Sequence, residues 1–289
     1  MNKASNLPYF GQSAVIATKH NKDQYIRSIL RDSLGWSLAI NQSIDTDELG
    51  TFSAEKPRSL SPLDCAIKKA SLSLQATNAD IGLGSEGSFA PDPWGVMTIN
   101  HEIIACVDAT GSLLATGQAS QPVNIDIVNI PLPEHDSAPD ITHYFKHLPD
   151  GQASIVSVFD DQQKLLSVSK GLLGRDTIEA QIQSFSTHPH AQVIELTYDL
   201  RAMHCPQRQL TIQQAAQDLV SRLSQLCPVC QAANFVTEIP TKGLPCETCG
   251  APTSLPKAMT ARCQHCGHEE SVPVPEHSAP TVHCNWCNP

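Results

Sequence analysis

The sequence predicts an α/β or α+β body with a mixed sheet, followed by a C-terminal module built on paired cysteines. Three observations predict it. An apolar tetrapeptide opens a strand–loop–helix unit near the N-terminus. Farther on, two pairs of apolar runs are split by turn residues. Eight of the eleven cysteines fall in four Cys-x-x-Cys pairs after residue 226. Helical and strand patterns that alternate with hairpins suit a mixed sheet. The expected division is 1–225 for the globular body and 226–289 for the module.

Residues 14–17 (AVIA) read as a buried strand and Thr18–Asp23 as a polar turn. A helix then places Tyr25, Ile26, Ile29, Leu30 and Leu34 on one face, with Gly35 as its stop. Residues 41–60 are polar and read as loop. Ser61-Pro62-Leu63-Asp64 is a helix start: Ser61 caps, Pro62 takes the first helical position, and Asp64 returns a bond to the cap. Leu63, Ala66, Ile67, Ala70 and Leu74 are expected to be buried, with Lys68 and Lys69 turned away. Residues 81–128 are strand-rich, with EIIACVD and LLATGQA flanking Thr110-Gly111 as a hairpin. The Pro-rich stretch 131–139 is loop, and 140–147 a short helix. ASIVSVF and KLLSVS flank Asp160-Asp161 as a second hairpin. Asp176-x-x-Glu179 is expected to start a helix, QVIELTY to form a strand, and Thr211-x-x-Gln214 to cap a last helix that runs directly into Cys227.

The four pairs are Cys227/Cys230, Cys246/Cys249, Cys263/Cys266 and Cys284/Cys287. Two residues between thiolates let one tight turn aim both sulfurs at the same ion, and the gaps between pairs suit two tetrahedral zinc sites. Sequential pairing, giving a tandem zinc ribbon, is the simplest arrangement. An interleaved cross-brace, first pair with third and second with fourth, fits the spacing too. His265, His268 and His283 lie near enough to stand in for a thiolate. Four thiolates leave no open coordination position, so both sites are expected to be structural. Cys65, Cys106 and Cys205 remain as scattered thiols, a pattern that fits a cytoplasmic chain rather than a disulfide framework.

The formal net charge is −10, and residues 81–200 carry most of the acidic excess. That argues against a broad nucleic-acid surface, which needs clustered Lys and Arg. No apolar run approaches the roughly 20 residues of a membrane span. The module offers a contact surface for a protein partner or for self-association, with Trp286 as its anchor.

Reactivity, if any, is expected in the body. Thr18, His20 and Lys22 stand between the first strand and the first helix, where a helix N-terminus and backbone amides favour a phosphate. The Gly-rich frame of a Walker loop is absent. Glu55 and Glu86 are the candidate acids, since Mg²⁺ is commonly held by one or two carboxylates with ligand phosphates. Asp45, Asp47 and Glu48 read as exposed charges. Glu195, Asp199, Arg201 and Arg208 read as structural ion pairs or a cleft lining, and His143/His147 as a surface i, i+4 pair.

AVIATKHNKD, LGTFSAEKPRSLSPLDCAIKKA, SEGSFAPDP, ELTYDLRA, GLPCETCGAPT and CNWCNP together resemble a bacterial domain-of-unknown-function family, number 6671, over essentially the whole chain. That resemblance implies no activity. Residues 14–90 are also similar to the inosine/xanthosine triphosphate pyrophosphatases. Ala17-Thr18 and Lys22 match the first motif, with His20 where an Asn is usual. Ala66-Ile67-Lys68-Lys69-Ala70 matches a helix, and Glu86 a strand-end acid, with Gly87 where a second acid is usual. This second resemblance implies a Mg²⁺-dependent nucleotide pyrophosphohydrolase: Thr18, His20 and Lys22 would hold phosphate, and Glu55 and Glu86 would serve catalysis through Mg²⁺. The alternative is a non-catalytic, zinc-stabilised binding or assembly protein with a degenerate nucleotide cleft.

Overall fold

A computed structural model describes residues 8–44, 60–132 and 141–289. The body is α+β with a mixed sheet. β1 (Ser13–Ile16) leads into α1 (Asp23–Leu34), which ends at Gly35 in the left-handed conformation the sequence called for. β2 (Ser37–Ile40) follows, a strand the sequence pattern did not suggest. Ser61 then caps α2 (Pro62–Ser73) as expected: its Oγ accepts from the Asp64 amide and donates to the Asp64 carboxylate. β3 (Ile81–Pro91), β4 (Thr98–Asp108) and β5 (Leu113–Val123) form an antiparallel meander. The strand order is β2-β1-β3-β4-β5, with β1 parallel to both β2 and β3.

Helices cover both faces of this sheet. Ala66 and Ala70 of α2 pack against Ala105 and Val107 on one face. The other face carries Leu83, Ile104 and Cys106, packed with Ile26 and Leu30 of α1 and with Ile212 and Leu219 of α5 (Pro206–Ser224). α2 lies unusually close to β3. A Cβ on Gly84 would sit 2.0 Å from the Ala66 carbonyl oxygen, so this position has no room for a side chain. That approach corrects one expectation: Lys69 does not point away but is buried, whereas Leu63 is exposed.

The remaining strands of the body form a second sheet, antiparallel throughout. β6 (Ile127–Pro131), α3 (Thr142–His147), β7 (Ser154–Phe159), β8 (Leu165–Leu172), α4 (Arg175–Ser186) and β9 (Val193–Tyr198) follow one another, in strand order β6-β9-β7-β8. This sheet has its own core of Tyr144, Val156, Ile178 and Leu196. Two helix starts differ from expectation. α4 begins one residue before Asp176, after Gly174. α5 begins at Pro206, so Thr211 is interior and buried, its Oγ1 bonded to the Gln207 carbonyl. Proline at the first helical position outcompetes the capping pattern read farther along.

α5 runs straight into the cysteine module, as predicted. Arg222 in its last turn pairs with Asp218 and with Glu238 of β10 (Thr237–Lys242), and Ala233 packs on the body core. β10, β11 (Pro256–Arg262) and β12 (Glu269–Pro273) form a small antiparallel sheet. Both outer strands are exposed along their whole length. The buried side chains here are Leu244, Thr253, Thr260, Ala261, Ala279 and the cysteines Cys227, Cys246, Cys263 and Cys284, so there is little apolar core. Among the described residues no helix is long and apolar enough to cross a membrane.

Candidate functional site

Each cysteine pair sits on the same kind of turn. The amide of Gln231 bonds to the Cys227 carbonyl, that of Gly250 to Cys246, that of Gly267 to Cys263 and that of Asn288 to Cys284, all at 2.9–3.0 Å. Gly250 and Gly267 take the positive φ expected after a second cysteine. These turns bring the eight sulfurs together as two tetrads, and the tetrads are interleaved. Cys227, Cys230, Cys263 and Cys266 form one; Cys246, Cys249, Cys284 and Cys287 form the other. This corrects the sequential, tandem-ribbon arrangement. The physical reason is the β10–β12 sheet: its antiparallel strands carry the third pair back to the first, and the fourth pair closes on the second.

The donor sets fit zinc. Tetrahedral Zn–S bonds of about 2.3 Å put sulfurs about 3.8 Å apart. The sulfurs of Cys227 and Cys266 are 3.7 Å apart, and those of Cys230 and Cys263 3.5 Å. In the second tetrad, Cys246–Cys287 is 3.9 Å and Cys249–Cys284 is 3.6 Å. A disulfide needs about 2.05 Å, so these are not bridges. Backbone amides favour thiolate at one sulfur of each tetrad, while neighbouring thiols and burial push Cys230 and Cys287 up to about 12. The Cys266 amide, followed by that of His265, draws Cys263 down to about 6, and the amides of Cys287 and Trp286 draw Cys284 down to about 7. The histidines are not needed as ligands: His268 contacts Glu270 and stacks on Phe235. Trp286 is 81% exposed at the tip of the last turn.

The body holds a second concentration of polar chemistry, buried around β3 and β4. Lys22 Nζ lies 2.9 Å from Glu102 Oε2 and 3.0 Å from Ser85 Oγ. Arg208 Nε donates to Glu102 Oε1 at 2.6 Å, its Nη1 bonds the Leu200 carbonyl, and its guanidinium lies 5.3 Å from the Phe89 ring centre. Across the strand, Lys69 Nζ meets Glu86 Oε2 at 2.5 Å, with the Cys65 thiol 3.7 Å from the same oxygen. Of these five charged side chains the least buried, Lys69, is only 9% exposed. Burial holds the Lys22 ammonium below its ordinary pKa, while Glu102 pulls it the other way.

Register explains the two halves of this cluster. Gly87 lies opposite Glu102, and successive residues of a strand alternate between faces. Ser85, Gly87 and Phe89 therefore share the α1/α5 face with Glu102 and Asn100, whereas Glu86 lies on the α2 face. Gly87 leaves the space that Glu102 and Arg208 fill. A Cβ there would come within 2.2 Å of both Glu102 Oε1 and Arg208 Nη2.

The predicted residues are placed as follows. Lys22 enters the Glu102 half and Glu86 the Lys69 half. Thr18 Oγ1 accepts from the His20 and Lys22 amides at 3.3 Å, shaping the turn, and His20 is half-buried there. Glu55, Asp45, Asp47 and Glu48 lie outside the described residues. Arg201 chelates Asp199, a structural pair, but Arg208 belongs to Glu102 instead. Sequence reading missed Glu102, Lys69 and Asn100. The available clue was phase: Asn100 and Glu102 keep step with buried Ile104 and Cys106 along β4. Among the described residues the cysteine tetrads are the only groups of three or more ligands close enough to share an ion. Glu86 and Glu102 are both held by cations, and neither is in a group close enough to share an ion.

No curated protein and no solved structure matches this chain. A family described as a domain of unknown function (DUF6671) matches residues 69–289, which takes in Lys69, both strands of the charged cluster, Arg208 and all eight paired cysteines. With more than half its length matched, the chain belongs to the DUF6671 family.

Proposed function

We propose that the body binds a phosphate-bearing nucleotide at the Lys22–Glu102–Arg208 cluster, and that two zinc ions held by the interleaved tetrads serve as structural supports. The carrying observation is the buried cluster itself. Among the described residues, three cations meet two carboxylates with almost no solvent, next to the turn that leads into α1. Buried, strongly interacting charges recur at functional sites. Lys22 stands at the N-terminus of α1, where a helix favours an anion.

A hydrolytic role is the second reading, favoured by the buried Glu86 carboxylate on β3, near enough to Lys22 for its charge to act there. It would require Glu86 to release Lys69 and accept a metal. Thermal-shift measurements separate the two. Nucleoside triphosphates and inorganic tripolyphosphate at 100 times Kd are expected to stabilise the protein by about 2.7 kcal/mol, and Lys22→Met to abolish the effect. Stabilisation without Mg²⁺ and without turnover supports binding alone. Turnover that needs Mg²⁺ and stops in Glu86→Gln supports hydrolysis. The absence of any shift with every phosphate compound tested would sink both.

A further inference from the structure

The face of β3 and β4 that carries the charged cluster continues past it into a cavity of about 560 Å³. Pro91 and Thr98 line this cavity, and they oppose each other in the β3–β4 register. They therefore share the face of Phe89, Asn100 and Glu102. Thr98 lies four residues from Glu102, roughly 13 Å along the strand. The opposite wall comes from the second sheet: Tyr198 at the end of β9, His143 and His147 of α3, and Asp126 just before β6.

Two observations mark the cavity as a binding site. Tyr198 is only 4% exposed and lines it, yet among the described residues its hydroxyl has no hydrogen-bond partner. Burial, with the nearby Asp126 charge, pushes this phenol up to about 12, so it stays protonated and can donate. The Asp126 carboxylate is likewise without a hydrogen bond or ion pair among the described residues, and half-buried. Apart from Thr98 and Asn124, the other walls are flat or apolar. Met97 and Ile125 contribute aliphatic surface, and the His143 and His147 rings lie 4.2 Å apart, centre to centre. Farther along the same face, the Asn100 side-chain oxygen is fully buried with no partner. A pocket of several hundred cubic ångströms with apolar walls and a few converging polar groups is the usual form of a small-molecule site.

We propose that this cavity takes the flat nitrogen heterocycle of a nucleobase, with Asp126 accepting from a ring N–H and Tyr198 donating to a ring carbonyl or nitrogen. This inference rests on the function proposed above: the ring would lie in the cavity and the phosphate tail would run along β3 and β4 to Lys22 and Arg208. It makes ring recognition and phosphate recognition two separable sites on one face.

Titration calorimetry on the full, zinc-loaded chain tests it with two probes, a ribonucleoside without phosphate (guanosine, adenosine, cytidine or uridine) and inorganic tripolyphosphate without a ring. At least one nucleoside is expected to bind. Tyr198→Phe and Asp126→Ala should each weaken it about tenfold, the loss of one good hydrogen bond, and leave tripolyphosphate affinity unchanged. Lys22→Met should do the reverse. Tyr198→Phe keeps the ring that packs on Tyr144, so folding is preserved, and its melting temperature verifies this. Tripolyphosphate binding with no nucleoside bound at millimolar concentration overturns the cavity assignment alone. Nucleoside binding without tripolyphosphate binding supports the cavity and overturns the phosphate site. Nucleoside binding unaffected by both variants also overturns the cavity assignment, and binding of neither probe overturns both readings.

Discussion

Replacing Glu102 with alanine is expected to cost the fold about 3–5 kcal/mol, the typical penalty for breaking a buried ion pair from one side. Glu102 is the shared partner of Lys22 and Arg208, and all three side chains are almost wholly enclosed. Without the carboxylate, an ammonium and a guanidinium would face each other in a low-dielectric interior. Asn100, whose side-chain amide donates to Glu102 at 3.2 Å, would lose that bond as well. Urea denaturation should register the loss as a lower midpoint, accompanied by a fall in melting temperature on the order of 10 °C. Adding Lys22→Met to the Glu102→Ala chain should recover part of the loss, because one of the stranded charges is then removed. A Glu102→Ala protein within about 1 kcal/mol of the parent would mean that water reaches the cluster and that the charges are not enclosed.

Removing zinc is expected to unfold the C-terminal module while leaving the body's two sheets in place. The three-stranded sheet β10–β12 has two strands exposed along their length, and several of the module's few buried side chains are ligand sulfurs. A module with so little apolar core is expected to draw its folding energy from metal, of the order of 10–16 kcal/mol for a structural zinc site at neutral pH. Chelation at high affinity should therefore abolish hydrogen-exchange protection in β10, β11 and β12. Protection in β3–β5, which rest on their own core with α1, α2 and α5, should persist. Persistent protection of β11 after complete metal loss would show that the module folds on packing alone.

Local features of the fold were legible; partnerships between distant segments were not. Ser61-Pro62 announced α2 because a cap and a proline act within one turn. Gly35 announced the end of α1 for the same reason. The paired cysteines were readable as ligands because two sulfurs on one turn must point at one ion. Which pair joins which depends on how β10, β11 and β12 fold back, and the spacing between pairs carries no record of that. Glu102 was hidden for a related reason. Its role arises from facing Gly87, and register between two strands cannot be read from either strand alone. Lys69 was misplaced because the depth of the α2–β3 contact is set by Gly84, on another element.

Zinc content in two full-length quadruple variants tests the interleaved assignment most directly. Serine at Cys227, Cys230, Cys263 and Cys266 removes one whole centre, and elemental analysis should find one zinc ion per chain. Serine at Cys227, Cys230, Cys246 and Cys249 halves both centres, and the expected content is near zero. The opposite result, none in the first variant and one in the second, would contradict the interleaved centres and restore the sequential ones.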